Sequence, residues 1–489
     1  MLARAVTYAL VGLEARRVEV EAHLPGGLPG FTIVGLADRA CQEAKERVRS
    51  SIRSAEQQWP RGRVVVNLAP AGLRKEGSGF DLAIALALLA ASRQLPPDRL
   101  AGHAALGELA LDGRIRPVRG ALAAAEAASR AGLTQFLCAR ESAREVALAG
   151  VQPVPLRHLA EAVSYLRGEG EPTVGLPEEA DAVPWEEPFF PDLADVRGQE
   201  RARRALELAA VGRHNLLLAG PPGTGKTMLA RRLPGILIPL GERDILEVTR
   251  IHSVAGLLSH ERPLVLVPPF RSPHHSASTA ALVGGGPGPR PGEVSLAHRG
   301  VLLLDELPEF QRPALEALRQ PIEDGLVSIA RAGGQAVFPA AFQLVATMNL
   351  CPCGARGDPA AECLCSTQRL AAFRDKLSRA LLDRFDLVVT VPRPRAQELA
   401  AGPSESSEPV RRRVAVARDQ LSTGRLERVP EAGELLDRAV ERLPLSGRGR
   451  GRAARVARSA AALAGSERVL PEHVAEALAY RTPRELAPQ

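Results

Sequence analysis

The sequence predicts an α/β protein with an α+β unit before its central unit and a helical unit after it. At the centre, an apolar run leads into the glycine-rich stretch GPPGTGKT at 220–227, and a helix-like run follows. Farther along, the apolar run VLLLDE reads as a buried strand that ends in two carboxylates, Asp305 and Glu306. The earlier unit mixes alternating strands with helices, and the later unit has helical spacing. Together these patterns indicate a phosphate-binding α/β core between two flanking units.

The glycine-rich stretch matches G-x-x-x-x-G-K-[ST], a loop whose backbone N–H groups and following helix N-terminus surround phosphate oxygens. In this pattern Lys226 is expected to reach the β- and γ-phosphates, and the Thr227 hydroxyl to hold Mg²⁺. The chain has four lysines and uses arginine almost everywhere else, so a lysine here does not reflect composition. We therefore expect ATP and Mg²⁺ as cofactors, bound by Gly220, Pro221, Pro222, Gly223, Thr224, Gly225, Lys226 and Thr227.

The composition limits the remaining possibilities. A chain of 489 residues is long enough for roughly three domains, and it has no apolar run of membrane-spanning length. Charges interrupt the N-terminal run, so we expect no signal peptide, no membrane partner and a cytoplasmic protein. A net charge of +7 permits nucleic-acid binding but does not establish it.

The first predicted unit, 1–165, has an α+β pattern. Its segments KEGSGFDLAIA and GELALDGRIRPVRGALAAAEAASRAG resemble the proteolytic domain of Lon, within the ribosomal-S5-like fold. In that resemblance the nucleophilic serine would fall at Gly79 and the catalytic lysine near Leu122. Neither side chain can attack a carbonyl or act as a base, and Ser78 has no lysine partner in the pattern. We therefore expect a domain without proteolytic activity that is structural or contacts DNA.

Three further segments complete the predicted organisation. Residues 166–192 are acidic and proline-rich, without helical or strand periodicity, and are expected to form a linker. Its aromatic residues Trp185, Phe189 and Phe190 could dock on a neighbouring domain. The α/β core is expected at 193–395. Residues 396–489 have helical spacing and resemble the lid of AAA+ ATPases.

The core also resembles AAA+ ATPases outside the phosphate loop. The run DLADVRGQERARRALELAA is similar to the segment that precedes this loop, which places Gln199 on the adenine side. The resemblance implies that Asp305 holds Mg²⁺ through water and that Glu306 polarises the attacking water. The strand FQLVATMN ends in Asn349, where these proteins carry a polar residue that orients water against the γ-phosphate.

Two arginines are expected to complete the site. The string LLDRFD places Arg384 at the position of an arginine finger, which would act on the neighbouring subunit's nucleotide; a plain helix-end arginine is the alternative. Arg455 lies where a sensor-2 arginine touches the γ-phosphate, with Arg458 one turn on as the competing residue. A site shared between subunits implies a ring, which we expect to be a homohexamer.

Two segments narrow the resemblance. In the magnesium-chelatase branch of AAA+ proteins, insertions before and after the strand VLLLDE project toward the ring pore. The strings PHH, GGG, PGEVSLAHRGVLLLDELPEF and LRQPIEDG closely resemble the ComM/YifB subfamily of that branch, whose members are hexameric ATPases that drive DNA branch migration. The histidine pair in PHH could instead bind a metal or cap a turn. Candidate contacts to DNA phosphates are Arg271, His274, His275, Arg290 and Arg331.

Four of the six cysteines lie in CPCGARGDPAAECLC as two C-x-C pairs: Cys351, Cys353, Cys363 and Cys365. Four thiolates could surround a structural Zn²⁺ in tetrahedral geometry. Free thiols and redox chemistry are the alternatives, while a cytoplasmic setting argues against two disulfides.

The function expected from these residues is that of an ATP-driven hexameric motor that binds DNA without sequence preference and promotes branch migration in recombination and natural transformation. The alternative is a chelatase-type or protein-remodelling ATPase that does not act on DNA. An ATP-gated scaffold without turnover and an ATP-dependent protease are weaker alternatives. The basic run SGRGRGRAAR could also contact DNA, although a solvated face is its default interpretation.

Overall fold

A computed structural model of the chain describes residues 1–169, 189–259, 262–286, 289–331, 334–400, 402–424, 426–443 and 445–481. Most of the predicted linker, including Trp185, lies outside these residues. The side chain of Arg331 also lies outside what is described.

The first unit is built on a mixed seven-stranded sheet with the strand order β3-β4-β2-β1-β5-β8-β9. Strands β1, β2 and β4 pair antiparallel, whereas the other neighbours pair parallel. The elements are β1 Leu2–Val11, β2 Glu14–His23, β3 Gly30–Val34, α1 Arg39–Gln42, α2 Ala44–Ser54, β4 Arg63–Ala69, α3 Asp81–Ala91, β5 His103–Leu106, β6 Glu108–Leu109, β7 Ile115–Arg116, α4 Ala121–Arg130, β8 Gln135–Ala139, α5 Ala143–Ala147, β9 Gln152–Leu156 and α6 Leu159–Arg167.

The sequence pattern explains the main elements of this unit. The uninterrupted apolar run of α3 is buried at every position, because the helix packs against strands β1 and β2 in the core of the unit. Asp112 and Gly113 lie in the turn of the β6–β7 hairpin, with Gly113 at a φ of 87° that favours glycine. The segment after β3 forms two helices, α1 and α2, which meet at Glu43.

The central unit is a five-stranded sheet with the order β11-β14-β17-β10-β18, in which every pair is parallel. Strands β10, β14 and β17 are buried at every residue, as expected for a parallel sheet covered on both faces. The predicted α/β core is thereby confirmed. Its elements are α7 Glu200–Gly212, β10 Leu216–Ala219, α8 Lys226–Ala230, α9 Glu242–Ala255, β11 Phe270–Arg271, α10 Thr279–Val283, β12 Gly284–Gly285, β13 Arg290–Pro291, α11 Glu293–Leu296, β14 Val301–Leu304, α12 Arg312–Ala317, α13 Arg319–Asp324, β15 Leu326–Arg331, β16 Gly334–Pro339, β17 Gln343–Met348, α14 Thr367–Asp375, α15 Arg379–Leu382 and β18 Leu387–Thr390.

Two small hairpins lie beside the parallel sheet of this unit. The pairs β12–β13 and β15–β16 are both antiparallel. The hairpins lie side by side, because a Cβ atom at Gly284 would fall 2.8 Å from Ile329 Cδ1. The two hairpins are thus in contact, although they come from separate segments of the chain on either side of β14.

The third unit is mainly helical, as predicted. Pro471 occupies the first turn of its last helix and Gly465 follows the end of α19 at a φ of 65°. Helix α19 packs against α7, α17 and α20, so the lid shares a hydrophobic core with the α/β unit. The elements are α16 Ala396–Ala400, α17 Ser407–Ser422, β19 Glu427–Arg428, α18 Pro430–Arg442, α19 Gly447–Leu463, β20 Arg468–Val469 and α20 Pro471–Ala479.

The first unit packs on the α/β core through helix α9. The buried carboxylate of Glu145 accepts hydrogen bonds from the Leu122 amide at 2.9 Å and from the Ser253 hydroxyl on α9. Arg250 on α9 pairs with Glu126 at 2.6 Å. These contacts bury polar groups that satisfy one another across the two units.

None of the helices in the described part of the chain combines the length and apolarity that crossing a bilayer would require.

Candidate nucleotide-binding site

The phosphate loop lies at the carboxyl end of β10, which pairs with β17 on one side and β18 on the other. This is where ligands bind in open α/β sheets, because loops leave the sheet there in different directions. Gly223 and Gly225 have φ values of 73° and 89°, so the loop uses backbone conformations that favour glycine. Helix α8 begins directly after the loop, at Lys226, which directs the amides of its first turn toward the same space.

Gly220 opens the loop against the neighbouring strand. A Cβ atom at this position would lie 2.3 Å from the carbonyl oxygen of Val391, which directly follows β18. The close approach of two backbones therefore fixes where the loop leaves the sheet.

We expect Gly220→Ala to lower the free energy of unfolding by about 1–3 kcal/mol, because the extra methyl group forces the loop away from β18. Binding of a fluorescent ATP analogue should weaken as well. Gly241→Ala is the matched control, since a Cβ atom there meets nothing within 4 Å and φ is −75°. Equal stability of the two variants in urea titrations would contradict this account of the loop.

Lys226 is buried at the base of the loop, and its ammonium group has three acceptors. Lys226 Nζ donates to the carbonyl oxygens of Gly220 at 2.9 Å and Pro221 at 2.7 Å, and to Asn349 Oδ1 at 3.2 Å. Burial lowers the pKa of this lysine, while the nearby carboxylates of Asp305 and Glu306 raise it. Lys226 and Asn349, 123 residues apart, thus meet at one point of the site.

Thr227 and Asp305 also meet, although they come from different strand–loop segments. Thr227 Oγ1 donates to Asp305 Oδ1 at 2.8 Å, and the buried Thr347 hydroxyl donates to the same oxygen at 2.5 Å. Thr347 Oγ1 in turn accepts the Glu306 amide at 3.0 Å. A hydroxyl and a carboxylate oxygen placed this way are the oxygen ligands that Mg²⁺ prefers, so the residues fit this ion.

Thr347 is a further candidate site residue, which the sequence did not predict. It is the hydroxyl side chain in the otherwise apolar strand run LVATM, and it is 1% exposed. One feature of the sequence could have indicated Thr347. It is a polar residue in an apolar strand, and it lies two positions before the asparagine that is predicted to orient water. Its role is to orient the carboxylate of Asp305 and the backbone at Glu306.

Glu306 faces the open side of the site. Its backbone has a φ of 56°, an uncommon value for a residue other than glycine, and its side chain is exposed. Glu306 and Asn349 border a cleft of about 590 Å³. The other lining residues include His275, Arg369 and Lys376. The cleft therefore combines two carboxylates, Glu306 and Glu309, with an amide and several groups that can carry positive charge.

Gln199 lies at the same end of the sheet. It precedes α7 with a φ of 61°, and its side-chain amide donates to the Pro392 carbonyl oxygen at 2.7 Å. Pro392 follows β18 closely, so Gln199 lies on the side of the phosphate loop opposite to Asp305. This position is compatible with the predicted contact on the adenine side.

Arg384 lies at the opposite end of the sheet. Its carbonyl oxygen accepts from the side chain of Asn215, the residue directly before β10, at 3.0 Å. At about 3.3 Å per residue, this end of β10 is about 16 Å from the phosphate loop. The Arg384 guanidinium pairs with Glu323 at 2.6 Å, and Arg448 pairs with the same carboxylate at 2.9 Å. The Arg384 side chain, which is 8% exposed, is thus held by Glu323 at the end of the sheet away from its own phosphate loop.

Arg455 lies at this same end. Its guanidinium pairs with Asp386 at 3.2 Å, and Asp386 also accepts the Asn215 amide at 2.9 Å. The expectation that Arg455 touches the γ-phosphate of its own chain does not agree with this position. Its side chain is 61% exposed, as is appropriate for a contact to another molecule, and Arg458 is exposed one turn on.

The candidate DNA contacts differ in their exposure and in their ion pairs. Arg271 is neutralised by a two-point pair with Glu293, at 2.6 and 2.8 Å. Arg290 is exposed on β13, in the β12–β13 hairpin. The rings of His274 and His275 are 4.0 Å apart, but His275 borders the nucleotide cleft. Arg290 is thus the described candidate that is best placed for a phosphate contact.

The four clustered cysteines come together in space. Their sulfur atoms all lie within 4.8 Å of one another, and all six cysteines of the chain are free thiols. The pKa of the Cys353 thiol is lowered to about 6, chiefly because the Ala355 amide donates to its sulfur. A set of four close thiols is the donor set of a closed zinc site.

The positions that the Lon resemblance singled out in the first unit do not form a Ser-Lys pair. Leu122 is fully buried, and the Ser78 hydroxyl donates to the carboxylate of Glu108. Lys75 is also fully buried, and its ammonium group donates to the Pro70 carbonyl oxygen. Ser78 is therefore partnered by an acid and not by a lysine, an arrangement that gives no Ser-Lys nucleophile.

The fold and the site together define a P-loop protein with an AAA+ core. Residues 192–399 match the family described as magnesium chelatase, subunit ChlI, residues 20–142 match subunit ChlI of Mg-chelatase, and residues 404–481 match its C-terminal family. An uncharacterised protein of Mycobacterium tuberculosis is 46% identical over 98% of both chains. Uncharacterised protein YifB of Escherichia coli is 41% identical over 97% of this chain and 96% of its own. Competence protein ComM of Haemophilus influenzae is 41% identical over 98% of this chain and 97% of its own.

The chain therefore belongs to the ComM/YifB subfamily of magnesium-chelatase-like AAA+ proteins, which confirms the resemblance found in the sequence. Membership of this family implies an ATPase that uses ATP and Mg²⁺.

Proposed function

We propose that the protein is an ATP-hydrolysing motor that forms a hexameric ring around DNA and promotes branch migration. The supporting observation is the distribution of the site residues over the sheet. The groups for phosphate, Mg²⁺ and water lie at its carboxyl end, whereas Arg384 and Arg455 lie at its amino end.

In the proposed reaction, water attacks the γ-phosphate in line with the bond that breaks. Lys226 offsets charge on the β- and γ-phosphates, and Asn349, 3.2 Å from its ammonium group, orients the water. Glu306 polarises that water from the open side of the cleft. Thr227 and Asp305 would hold Mg²⁺, which supplies charge stabilisation at the phosphates when bound.

A ring follows from the distance between the two sets of residues. Arg384 and Arg455 lie at the end of the sheet opposite to the phosphate loop of their own chain, so their proposed nucleotide is one bound in another chain. Such a contact joins two different faces of the protomer, and head-to-tail contacts form a ring when the rotation between subunits closes. We propose that these arginines stabilise the charge of the neighbouring subunit's transition state.

DNA is the proposed partner for three reasons. The chain has a net charge of +7, Arg290 is exposed on the β12–β13 hairpin, and the relative from Haemophilus influenzae is named a competence protein. Contacts to phosphates carry no sequence information, which suits a motor that moves along any sequence. On this basis we place the activity in heteroduplex extension during recombination and natural transformation.

We also propose that Cys351, Cys353, Cys363 and Cys365 bind one structural Zn²⁺. All four ligand positions would be sulfur, so the ion has no open position for catalysis.

The test is an ATPase and branch-migration assay with a synthetic four-way DNA junction. We expect the junction to stimulate ATP hydrolysis and ATP to drive its resolution. We expect Arg290→Gln to weaken junction binding and to lower the slope of log affinity against log salt by about one, because one arginine no longer neutralises a phosphate. Arg442→Gln, an exposed arginine on the lid helix α18, is the matched control.

Hydrolysis that is indifferent to DNA would contradict the motor. It would favour the second candidate, a chelatase-type or protein-remodelling ATPase, which the three matches to magnesium-chelatase subunit families support.

A further inference from the structure

The four-cysteine loop lies directly against the nucleotide site. It begins two residues after Asn349, at the carboxyl end of β17. Cys351 and Pro352 border the same cleft as Glu306 and Asn349. The loop is therefore placed where it can affect the geometry of hydrolysis.

Three of the four sulfur atoms lie close to the spacing that a metal requires, and the sulfur of Cys365 lies within 4.8 Å of them. Sγ distances are 3.3 Å from Cys351 to Cys353, 3.6 Å from Cys353 to Cys363 and 3.6 Å from Cys363 to Cys351. A tetrahedral Zn²⁺ with bonds of about 2.3 Å needs sulfur atoms about 3.8 Å apart. The match indicates a closed site formed by both ends of the loop.

The loop also contacts the phosphate loop. A Cβ atom at Gly354 would lie 2.9 Å from Pro222 Cδ, so the backbone that follows the first cysteine pair and the phosphate loop are in direct contact. A residue larger than glycine could not occupy this position without displacing Pro222. This contact connects the cysteine loop with the phosphate loop.

A third anchor lies on the far side of the phosphate loop. The Asp358 carboxylate accepts from Arg393, which closely follows β18, at 2.8 Å, and the Asp358 side chain is 5% exposed. The segment 354–366 contains no helix or strand, so the metal and these contacts are what would fix its path. An unanchored loop of this length has many conformations, and ordering it costs free energy.

We infer that a zinc ion bound by the four cysteines holds this loop as a wall of the ATP site and thereby positions Asn349 and Pro222. The inference rests on the proposed ATPase activity for its effect on turnover, but not for its effect on nucleotide binding. Without the ion, both ends of the loop separate and the loop no longer packs against Pro222. Asn349 then no longer holds the position that Lys226 and the attacking water require. Misplacement of such a group by about 1 Å costs roughly 10²-fold in rate.

The experiment measures zinc content by elemental analysis, affinity for a fluorescent ATP analogue, and ATP hydrolysis, all on the full chain under reducing conditions. We expect about one zinc per chain. Removing zinc with a chelator should lower nucleotide affinity about 10-fold and hydrolysis about 10²-fold, and adding Zn²⁺ should restore both. Zinc-free protein that binds and hydrolyses ATP like the loaded protein would overturn the inference, as would protein that holds no zinc when purified and binds none on addition.

Two variants separate zinc binding from its proposed effect on nucleotide affinity. Asp358→Asn keeps all four thiols but weakens the anchor to Arg393, so we expect zinc to be retained while nucleotide affinity falls several-fold. Cys138→Ala removes a buried cysteine of the first unit and should change neither quantity. Normal nucleotide affinity in Asp358→Asn would argue against the positioning role.

The inference and the proposed function fail in different ways. If loaded protein binds the ATP analogue in a zinc-dependent manner but hydrolyses no ATP, the proposed motor is wrong and the positioning role stands. If hydrolysis is stimulated by DNA but is independent of zinc, the motor stands and the positioning role is wrong.

Discussion

Replacing Lys226 by alanine is expected to abolish ATP hydrolysis, with a loss of roughly 10³-fold or more, and to remove detectable nucleotide binding. The Lys226 ammonium group carries a positive charge at the phosphate loop, where it donates hydrogen bonds to two loop carbonyl oxygens and to Asn349. Because Lys226 is buried, its charge acts on the phosphates with little screening by water, and a water molecule cannot replace that charge. The measurement is steady-state phosphate release together with binding of a fluorescent ATP analogue.

The matched control is Lys45→Ala, because the Lys45 side chain on α2 is 43% exposed and the Glu46 carboxylate is 3.8 Å away. This control should leave both quantities unchanged. If the Lys226→Ala variant hydrolyses ATP at the normal rate, the phosphate loop is not the catalytic site.

Replacing Arg384 by alanine is expected to lower kcat by about 10³- to 10⁵-fold, the effect of losing an arginine finger, while nucleotide binding is retained. The physical reason is that this guanidinium would stabilise charge that develops only in the transition state of the neighbouring subunit. Single-turnover hydrolysis and binding of the ATP analogue measure the two effects separately.

The alternative for Arg384 is a structural ion pair between α13 and the segment before β18. Under that alternative, Glu323→Gln should impair the protein as much as Arg384→Ala does, because each variant breaks the same 2.6 Å pair. We expect instead that Glu323→Gln keeps most of its hydrolysis, since the arginine itself remains. Equal loss of thermal stability and of activity in both variants would favour the structural role.

The parts of the site that the sequence predicted are those encoded in short contiguous strings. The phosphate loop and the pair Asp305–Glu306 each follow a buried strand, and parallel strands bring such ends together. The family resemblance supplied Asn349, which no local pattern would have placed beside Lys226. Thr347 was missed because a single hydroxyl in an apolar strand has no distinctive spacing.

The errors have a common physical origin in contacts between distant segments. Arg271 appeared to be a free cation in the sequence, but Glu293, 22 residues later, neutralises it. Arg455 was expected at its own chain's γ-phosphate, yet the packing of α19 on α7 carries it to the amino end of the sheet. Neither pairing follows from periodicity, because each depends on how separate elements pack.

The central claim is that each ATP site is completed by the neighbouring subunit, and mixed rings test it most directly. Co-expressed Glu306→Gln and Arg384→Ala chains with different tags would each be inactive alone. In mixed rings, an Arg384→Ala chain keeps its own Glu306 and receives Arg384 from a Glu306→Gln neighbour. Random assembly makes roughly a quarter of the interfaces complete. We therefore predict that mixed rings regain a substantial fraction of wild-type ATP hydrolysis, whereas mixed rings as inactive as either variant alone would contradict the shared site.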